Sequence, residues 1–172
     1  MTLDELNETP RVNFVAALGG IFEHSPWVAE AVADKRPFDT IEALHAAMAE
    51  TVATAGRDKQ VALIRAHPDL AGKAARAGAL TEESTREQKG AGLDRLSDTE
   101  FEEFHRLNDA YKARFGFPFV LAVRGFDGGA HDARSILASF RARLDNSTDA
   151  EIDEALRQIA RIARLRLDDL IL

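Results

Sequence analysis

Apolar residues recur along most of the chain at spacings of three and four, which is the period of an α-helix with one buried face. One such segment begins after Asp39, a candidate helix cap, and ends at Gly56, which favours helix termination. The apolar stripe between them consists of Ile41, Leu44, Met48 and Val52. This pattern predicts a chain built mainly from amphipathic helices.

Helix start and stop signals continue toward the end of the chain. Ser97 and Glu100 form a capping box for the segment SDTEFEEFHRLNDAYKARF, which Gly116 closes. A further helix is expected around HDARSILASFRARL. Thr148 together with Glu151 is expected to cap a long final helix. These segments leave little room for any other kind of secondary structure.

The segment FGFPFVLAVRG, residues 115–125, breaks the helical pattern because it is apolar throughout and contains β-branched residues. By itself it is typical of a buried strand, but the sequence offers no partner strand to satisfy its backbone. We therefore expect an extended segment that crosses a helical body and leaves some amide groups free. The predicted fold is an all-α, single-domain helical bundle over residues 1–172, with one extended apolar segment at about 115–125.

Composition and charge narrow the possible partners. The chain has 172 residues, of which 45% are hydrophobic and 30% charged, as in an ordinary globular domain. Its net charge of −7 argues against nucleic acid or an anionic membrane as the main partner. The absence of cysteine excludes disulfides, thiolate catalysis and cysteine-ligated zinc. No apolar run approaches the ~20 residues of a membrane span and no signal peptide is recognisable, so the cytoplasm is the expected location.

Two polar residues fall on otherwise apolar helix faces. Arg166 shares a face of the final helix with Ile159 and Ala163, whereas Arg161 points outward. A buried arginine needs an anion, and the spacing leaves two alternatives open: a structural ion pair, or the carboxylate of a bound substrate. Asn108 lies among the aromatic residues of its helix, where a satisfied buried amide is the commoner explanation.

A histidine stands where one helix must stop. In LIRAHPDLAGK, His67 is followed by Pro68, and proline disfavours helical geometry in the residue before it. A metal-ligand role has little support, because the sequence contains neither HExxH nor H-x-H. An imidazole titrates near neutrality and can act as a general acid or base, although the local sequence favours simple helix punctuation. In TEESTREQKGAGL, Ser84 and Glu87 fit a capping box, while two glycines nearby indicate close approach of backbone or ligand.

Four stretches of the chain form a recognisable set in their order and spacing: LGGIFEHSPWVAE, RAHPDLAGK, STREQKGAGLD and LNDAYKARFGFPFVLAVRG. Together they resemble the family of 2-oxo-4-hydroxy-4-carboxy-5-ureidoimidazoline (OHCU) decarboxylases, which catalyse the last step from urate to allantoin. The closing ARLRLDDL is similar to the last helix of that family. The resemblance spans nearly the whole chain, and HPDL together with FGFPF is far more specific than any single histidine.

The resemblance implies roles for individual residues. The catalytic histidine of the family falls on His67, and its glutamate falls on Glu87. Its substrate arginine falls on Arg166, with Arg161 as the alternative. The implied substrate-binding residues are Pro68, Ser84, Gln88, Phe119, Val120, Leu121, Ala122, Val123 and Arg166. The loop FDGGAHDA departs from the family pattern.

The resemblance also implies an activity and its requirements. A carboxy-lyase of this kind removes carbon dioxide from OHCU, a small ureidoimidazoline carboxylate, and protonates one face to give (S)-allantoin. The family needs neither a metal nor an organic cofactor, and its members are usually homodimers. We therefore expect a cytoplasmic homodimer of urate degradation that binds neither nucleic acid nor a membrane.

Overall fold

The computed structural model describes residues 1–72, 78–124 and 130–172. The predicted all-α class is confirmed, since no strand occurs in these ranges. A short 3-10 helix, Ala33–Lys35, follows the third α-helix. The α-helices of the described residues are α1 (Leu3–Glu8), α2 (Arg11–Leu18), α3 (Trp27–Val32), α4 (Ile41–Ala53), α5 (Arg57–Arg65), α6 (Glu82–Gly90), α7 (Asp98–Phe115), α8 (Ala133–Arg143) and α9 (Thr148–Leu170).

The predicted start and stop signals of α7 are confirmed. Ser97 Oγ accepts a hydrogen bond from the N–H of Glu100 at 3.1 Å, and the Glu100 carboxylate accepts one from the N–H of Ser97 at 3.1 Å. Gly116 closes the helix in the left-handed conformation, with a φ of 79°, which glycine adopts without strain. Both ends of α7 are thus set by local sequence.

Two other predicted caps are wrong by one residue. Thr40, not Asp39, caps α4, and its Oγ1 accepts from an N–H of the first turn at 3.0 Å. Ser147, not Thr148, precedes α9, and its Oγ accepts from the N–H of Ala150 at 3.2 Å. In both places two residues that can cap a helix are neighbours, and the sequence pattern cannot choose between them.

The first of two compact units is formed by Met1–Ala66 together with Ile159–Leu172. In this unit α3 packs against α4, α2 against α3, and α5 against α4. The imidazole Nε2 of His45 on α4 lies 2.7 Å from the carbonyl oxygen of Ala160 on α9. The fully buried apolar side chains of this unit include Leu6, Phe14, Val28, Val32, Leu44, Met48, Ile64, Ala163 and Leu167.

The second unit, His67–Gln158, is built around aromatic side chains. The ring of Tyr111 packs against four phenylalanine rings at centroid distances of 4.6–6.2 Å. These rings belong to Phe115, Phe117, Phe119 and Phe140. The rings of Phe119 and Phe140 also stack on each other, with centroids 3.8 Å apart. The apolar segment that follows α7 is therefore part of a core.

The chain divides into two compact units. The single domain expected over residues 1–172 therefore remains a prediction. Helix α9 contributes to both units, because Gln158 and Ile159 are neighbours within it. Within the described ranges, each helix falls short of the combination of length and apolar character that a membrane span requires.

Candidate active site

Helix α5 ends at Arg65 with Ala66 as its C-cap, and His67 and Pro68 follow at once. The proline explains this end, because it disfavours helical geometry in the residue before it. His67 is only 8% exposed, so its imidazole is buried. His67 is therefore part of the protein interior, and its catalytic role remains a prediction.

The turn that follows the buried histidine is held by side chains from two helices. The Gln88 amide of α6 bridges it: Oε1 accepts from the N–H of Ala71 at 2.9 Å, and Nε2 donates to the carbonyl of Asp69 at 3.2 Å. From α7, Asn108 Nδ2 donates to the carbonyl of Leu70 at 2.9 Å, while its Oδ1 has no hydrogen-bond partner among the described residues. Buried amides that bond to three consecutive residues restrict this turn to one conformation.

Backbone geometry makes the same turn tight. Ala71 has a φ of 51°, in the left-handed region that residues other than glycine seldom adopt. At Gly72, a Cβ atom would lie 2.8 Å from the Cβ of Asp69, too close for any larger residue to fit without a shift. The Asp69 carboxylate is in turn 2.6 Å from Lys112 Nζ. The turn is thus defined by sterics and charge as well as by hydrogen bonds.

Helix α6 carries the predicted Ser84–Gln88 stretch but begins earlier than predicted. Thr81 is its N-cap, and its Oγ1 accepts from the N–H of Ser84 at 3.2 Å, so the predicted capping box at Ser84 and Glu87 is wrong. Their spacing of three and four instead puts Ser84, Glu87 and Gln88 on one helix face. Ser84 and Gln88 are buried, and Glu87 is half-buried.

The hydrogen bonds of Gln88 bring the histidine segment and the glutamate helix together. Asp69, which receives one of these bonds, is two residues after His67, and two consecutive Cα–Cα steps span at most ~8 Å. Glu87 is the immediate neighbour of Gln88 on α6. The two residues with predicted catalytic roles therefore lie on segments that contact each other, and the roles themselves remain predictions.

A cavity of about 340 Å³ borders the same turn. Its described lining is half apolar and half polar, and consists of Ala71, Leu80, Thr85, Gln88, Lys89, Leu93, Asp94 and Leu96. Neither His67 nor Glu87 is among these described residues, so we do not equate the cavity with the site of reaction.

Residues 119–123, which we call the binding segment, are all buried, with exposed fractions of 1–7%. Two of its backbone groups bond to side chains: the carbonyl of Val120 and the N–H of Ala122. For Leu121 between them, neither the N–H nor the carbonyl has a hydrogen-bond partner among the described residues. Buried backbone groups normally require a partner, so this position is suited to receive one from a ligand.

A buried polar cluster next to the binding segment was not predicted. The carboxylate of Glu151, which is fully buried, accepts hydrogen bonds from three donors. These are Arg143 Nε at 2.8 Å, the Tyr111 hydroxyl at 2.5 Å and Asn146 Nδ2 at 3.0 Å. Burial is the main cause that raises the pKa of Tyr111 above its ordinary value, and the hydrogen bond to Glu151 adds to this effect. The phenol therefore stays protonated.

The sequence does contain a signal for this cluster. Glu151, Ala155, Gln158 and Ile162 recur at helical spacing and are all buried, so α9 carries a second inward stripe beside the predicted one. A glutamate in the first turn of a helix is ordinarily explained by capping and by the helix dipole. Because that explanation was sufficient for Glu151, its burial was not predicted.

Arg166 is buried as its position on α9 predicts, and Arg161 is exposed. The Nη1 of Arg166 lies 2.8 Å from Oε2 of Glu23 and also donates to the carbonyl of Gly20 at 3.1 Å. The two paired side chains are 4% and 2% exposed. A structural ion pair thus accounts for the burial of Arg166, and its role toward a substrate remains a prediction.

The described residues do not include a cluster of side chains with the composition of a metal site. They contain no group of three or more acidic or histidine side chains that could hold a metal ion. The expectation that the protein needs neither a metal nor a cofactor remains a prediction. Residues 125–129, which include the first half of the glycine loop FDGGAHDA, lie outside the described residues.

Comparison with known proteins identifies relatives along the whole chain. A family model described as OHCU decarboxylase matches residues 7–168. The chain is 41% identical over 170 residues to the OHCU decarboxylase of Halalkalicoccus jeotgali, a match that covers 99% of this chain and 92% of that protein. It is 42% identical over 170 residues to a uric acid degradation bifunctional protein of Bacillus subtilis, covering 99% of this chain and 33% of that protein.

A solved structure agrees with these sequence matches. The crystal structure of an (S)-allantoin synthase is similar with a TM-score of 0.79 and 33% identity, over 100% of this chain and 54% of that one. The matched region includes the histidine turn, helix α6 and the binding segment. The family model and the Halalkalicoccus relative both extend over nearly the whole chain, and we conclude that the chain belongs to the OHCU decarboxylase family.

Proposed function

We propose that this protein converts OHCU to (S)-allantoin and carbon dioxide in urate degradation. One observation carries the proposal: a relative named for this decarboxylation is 41% identical over 99% of the chain. The likeness to a solved (S)-allantoin synthase supports the configuration of the product. The protein is accordingly a carboxy-lyase that acts on a small carboxylate.

The reaction suits a site made of side chains and backbone. OHCU carries a carboxylate and a hydroxyl on one ring carbon, and the next carbon, which bears the ureido group, is imine-like. When the bond to the carboxylate breaks, carbon dioxide leaves and the electron pair moves toward the imine nitrogen, which takes up a proton. The resulting enol loses its hydroxyl proton to form a carbonyl, and the ureido-bearing carbon gains one. The ring is its own electron sink, a task that cofactors perform in many decarboxylases.

In this proposal His67 is the general acid–base group that handles these protons, and Glu87 orients its imidazole or stabilises its charged form. The burial of His67 supports this role, as does the contact that Gln88 makes between the two segments. A buried imidazole transfers protons where bulk water has little access, so only one face of the enol is protonated.

The binding segment is proposed to hold the carbonyl and carboxylate oxygens of the substrate through its backbone, with the N–H of Leu121 as the main donor. Pro68 would pack against the ring, and Ser84 would fix the ureido arm together with Gln88. The Gln88 amide can serve both the turn and a ligand, because its oxygen has a second lone pair and its nitrogen a second N–H. These roles are supported by the burial of all the residues except Pro68, which is half-buried.

The role of Arg166 toward a substrate carboxylate has weaker support than the other roles. Its pairing with Glu23 already supplies an anion, so burial of the guanidinium no longer argues for a bound carboxylate. The alternative, Arg161, is exposed. Variants at the two positions therefore have to separate a structural role from a substrate role.

We also propose that the protein acts as a homodimer in the cytoplasm, on the basis of family resemblance. Light scattering of the purified protein tests the dimer. A mass of twice 18.9 kDa is expected, and a mass of 18.9 kDa would contradict it.

The activity is tested by generating OHCU from urate with the two upstream enzymes and following allantoin formation by circular dichroism. Spontaneous decay gives a racemate, so we expect an optical signal of (S)-allantoin that grows in proportion to the protein concentration. A racemic product formed at the uncatalysed rate would contradict the proposal. A chelator is expected to leave the rate unchanged, and loss of activity would contradict the metal-free mechanism.

A further inference from the structure

The binding segment is tied to its surroundings by two buried side chains that the mechanism does not use. Arg143, the last residue of α8, donates from Nη1 to the carbonyl of Val120 at 2.7 Å. Gln158 on α9 accepts from the N–H of Ala122 through Oε1 at 3.1 Å. These bonds fix the backbone on either side of Leu121, whose N–H the mechanism assigns to the substrate.

Arg143 is itself held from several directions. Its Nε donates to Oε1 of the fully buried Glu151 at 2.8 Å. The same carboxylate is held by the Tyr111 hydroxyl and by the Asn146 amide. The guanidinium lies over the ring of Phe119, 4.3 Å from its centroid. Because Arg143 has little freedom to move, the carbonyl that it holds has little freedom either.

Stability alone does not explain this arrangement. Taking two charges out of water often costs more than their attraction returns, so a buried ion pair is weak grounds for inferring stabilisation. In addition, Nη2 of Arg143 is buried without a hydrogen-bond partner among the described residues, which adds a further cost. Apolar side chains of similar volume could fill the same space, but they would offer no donor to the carbonyl of Val120.

We propose that Arg143 is a positioning residue of the decarboxylase, held in place by Glu151. It acts through the carbonyl of Val120 and so sets the position of the Leu121 amide at the substrate. This inference rests on the proposed function, because it concerns the site that binds OHCU. An amide aimed at developing charge stabilises the transition state more than the ground state, so its displacement lowers kcat more than it raises KM.

The test uses the double variant Arg143→Met/Glu151→Leu, which removes both charges and leaves neither buried alone. Wild-type activity is measured first, because an inactive wild type would contradict the proposed function rather than the role of Arg143. For a folded double variant we expect kcat to fall ~10-fold or more, KM to change less than about threefold, and the enantiomeric excess of (S)-allantoin to drop.

Arg141→Met provides the matched control. Arg141 lies on the same helix, is more than half exposed and pairs with Glu103, so its loss is expected to leave kcat, KM and enantiomeric excess unchanged. A folded double variant with wild-type kcat and enantiomeric excess would overturn the assignment.

If the double variant does not fold, Arg143→Lys decides the question. Lysine keeps a charge beside Glu151 but lacks the planar fork that bonds to two acceptors at once. The same selective fall in kcat supports the positioning role. A wild-type kcat in Arg143→Lys overturns the positioning role. A loss of activity that is fully explained by the fraction of unfolded protein in thermal melts also overturns it.

Discussion

The side-chain oxygen of Gln88 accepts a hydrogen bond from the backbone N–H of Ala71 at 2.9 Å, and the same amide donates to the carbonyl of Asp69. Gln88 of α6 thereby helps to hold the turn that follows the buried histidine. The family resemblance implies that Gln88 contacts the substrate. The structure adds a second role, which is to hold the turn. The geometry of the turn can be tested separately from the chemistry of the site.

Two substitutions in the turn are expected to have opposite effects on stability. Gly72→Ala places a Cβ 2.8 Å from the Cβ of Asp69, and overpacking of this kind costs roughly 1–3 kcal/mol. Ala71→Gly relieves a left-handed backbone strain of about 1–2 kcal/mol. Glycine also raises the entropy of the unfolded chain, which lowers stability by roughly 0.4–1 kcal/mol, so slight net stabilisation is expected. Urea unfolding measures both. Destabilisation of the same size in the two variants would contradict the described turn.

His67→Ala is expected to lower kcat by ~100-fold or more while leaving the fold largely intact, because a general acid–base group contributes at least this much. Glu87→Ala is expected to act in the same direction, since it removes the partner of the imidazole. Rates from the circular dichroism assay are measured beside thermal melts. His105→Ala is the control, because this histidine is partly exposed and pairs with Asp109 on the surface of α7. A near-wild-type rate in either site variant would remove that residue from the mechanism.

The spacing of apolar residues correctly predicted which side of a helix faces the core when the prediction concerned that helix alone. Arg166 is buried and Arg161 is exposed because the spacing along α9 fixes which side each occupies. The partner of Arg166 could not be predicted in this way. Glu23 lies far away in the chain, and only tertiary packing brings it within 2.8 Å.

The same distinction applies to the site. The long apolar run without a partner strand predicted an extended segment at 115–125. The binding role of residues 119–123 and the roles of His67 and Glu87 came from the family resemblance and remain predictions. Arg143 and Glu151 were missed, because their contacts join the end of α8 to the start of α9 and to a backbone carbonyl. Helix patterning describes one element at a time and carries no information about such contacts.

Arg166→Met is expected to destabilise the protein by about 3–5 kcal/mol, because it removes the guanidinium that pairs with the buried carboxylate of Glu23 at 2.8 Å. The double variant Glu23→Leu/Arg166→Met should recover most of this loss, whereas Arg161→Ala should change stability little. Kinetics of the double variant then separate the two roles. Full activity in a stable double variant would exclude Arg166 as a substrate residue, and a raised KM would support that role.

Tyr111→Phe is expected to cost roughly 1.5–3 kcal/mol at neutral pH, because Glu151 loses a hydrogen-bond donor in a buried site. Both the folded and the unfolded state keep the phenol protonated below pH ~10, so the stabilisation by Tyr111 is fully present there. Above that pH the unfolded chain releases the proton while the folded protein, with its raised pKa, retains it.

Stability should therefore fall with rising pH, at up to ~1.4 kcal/mol per unit, and the phenylalanine variant should lack this slope. Tyr111 is the single tyrosine of the chain, so the near-ultraviolet absorbance of phenolate reports on it alone. We expect phenolate to form only as the protein unfolds, as followed by far-ultraviolet circular dichroism. Ionisation near pH 10 in a protein that is still folded would show that the hydroxyl is not buried against Glu151.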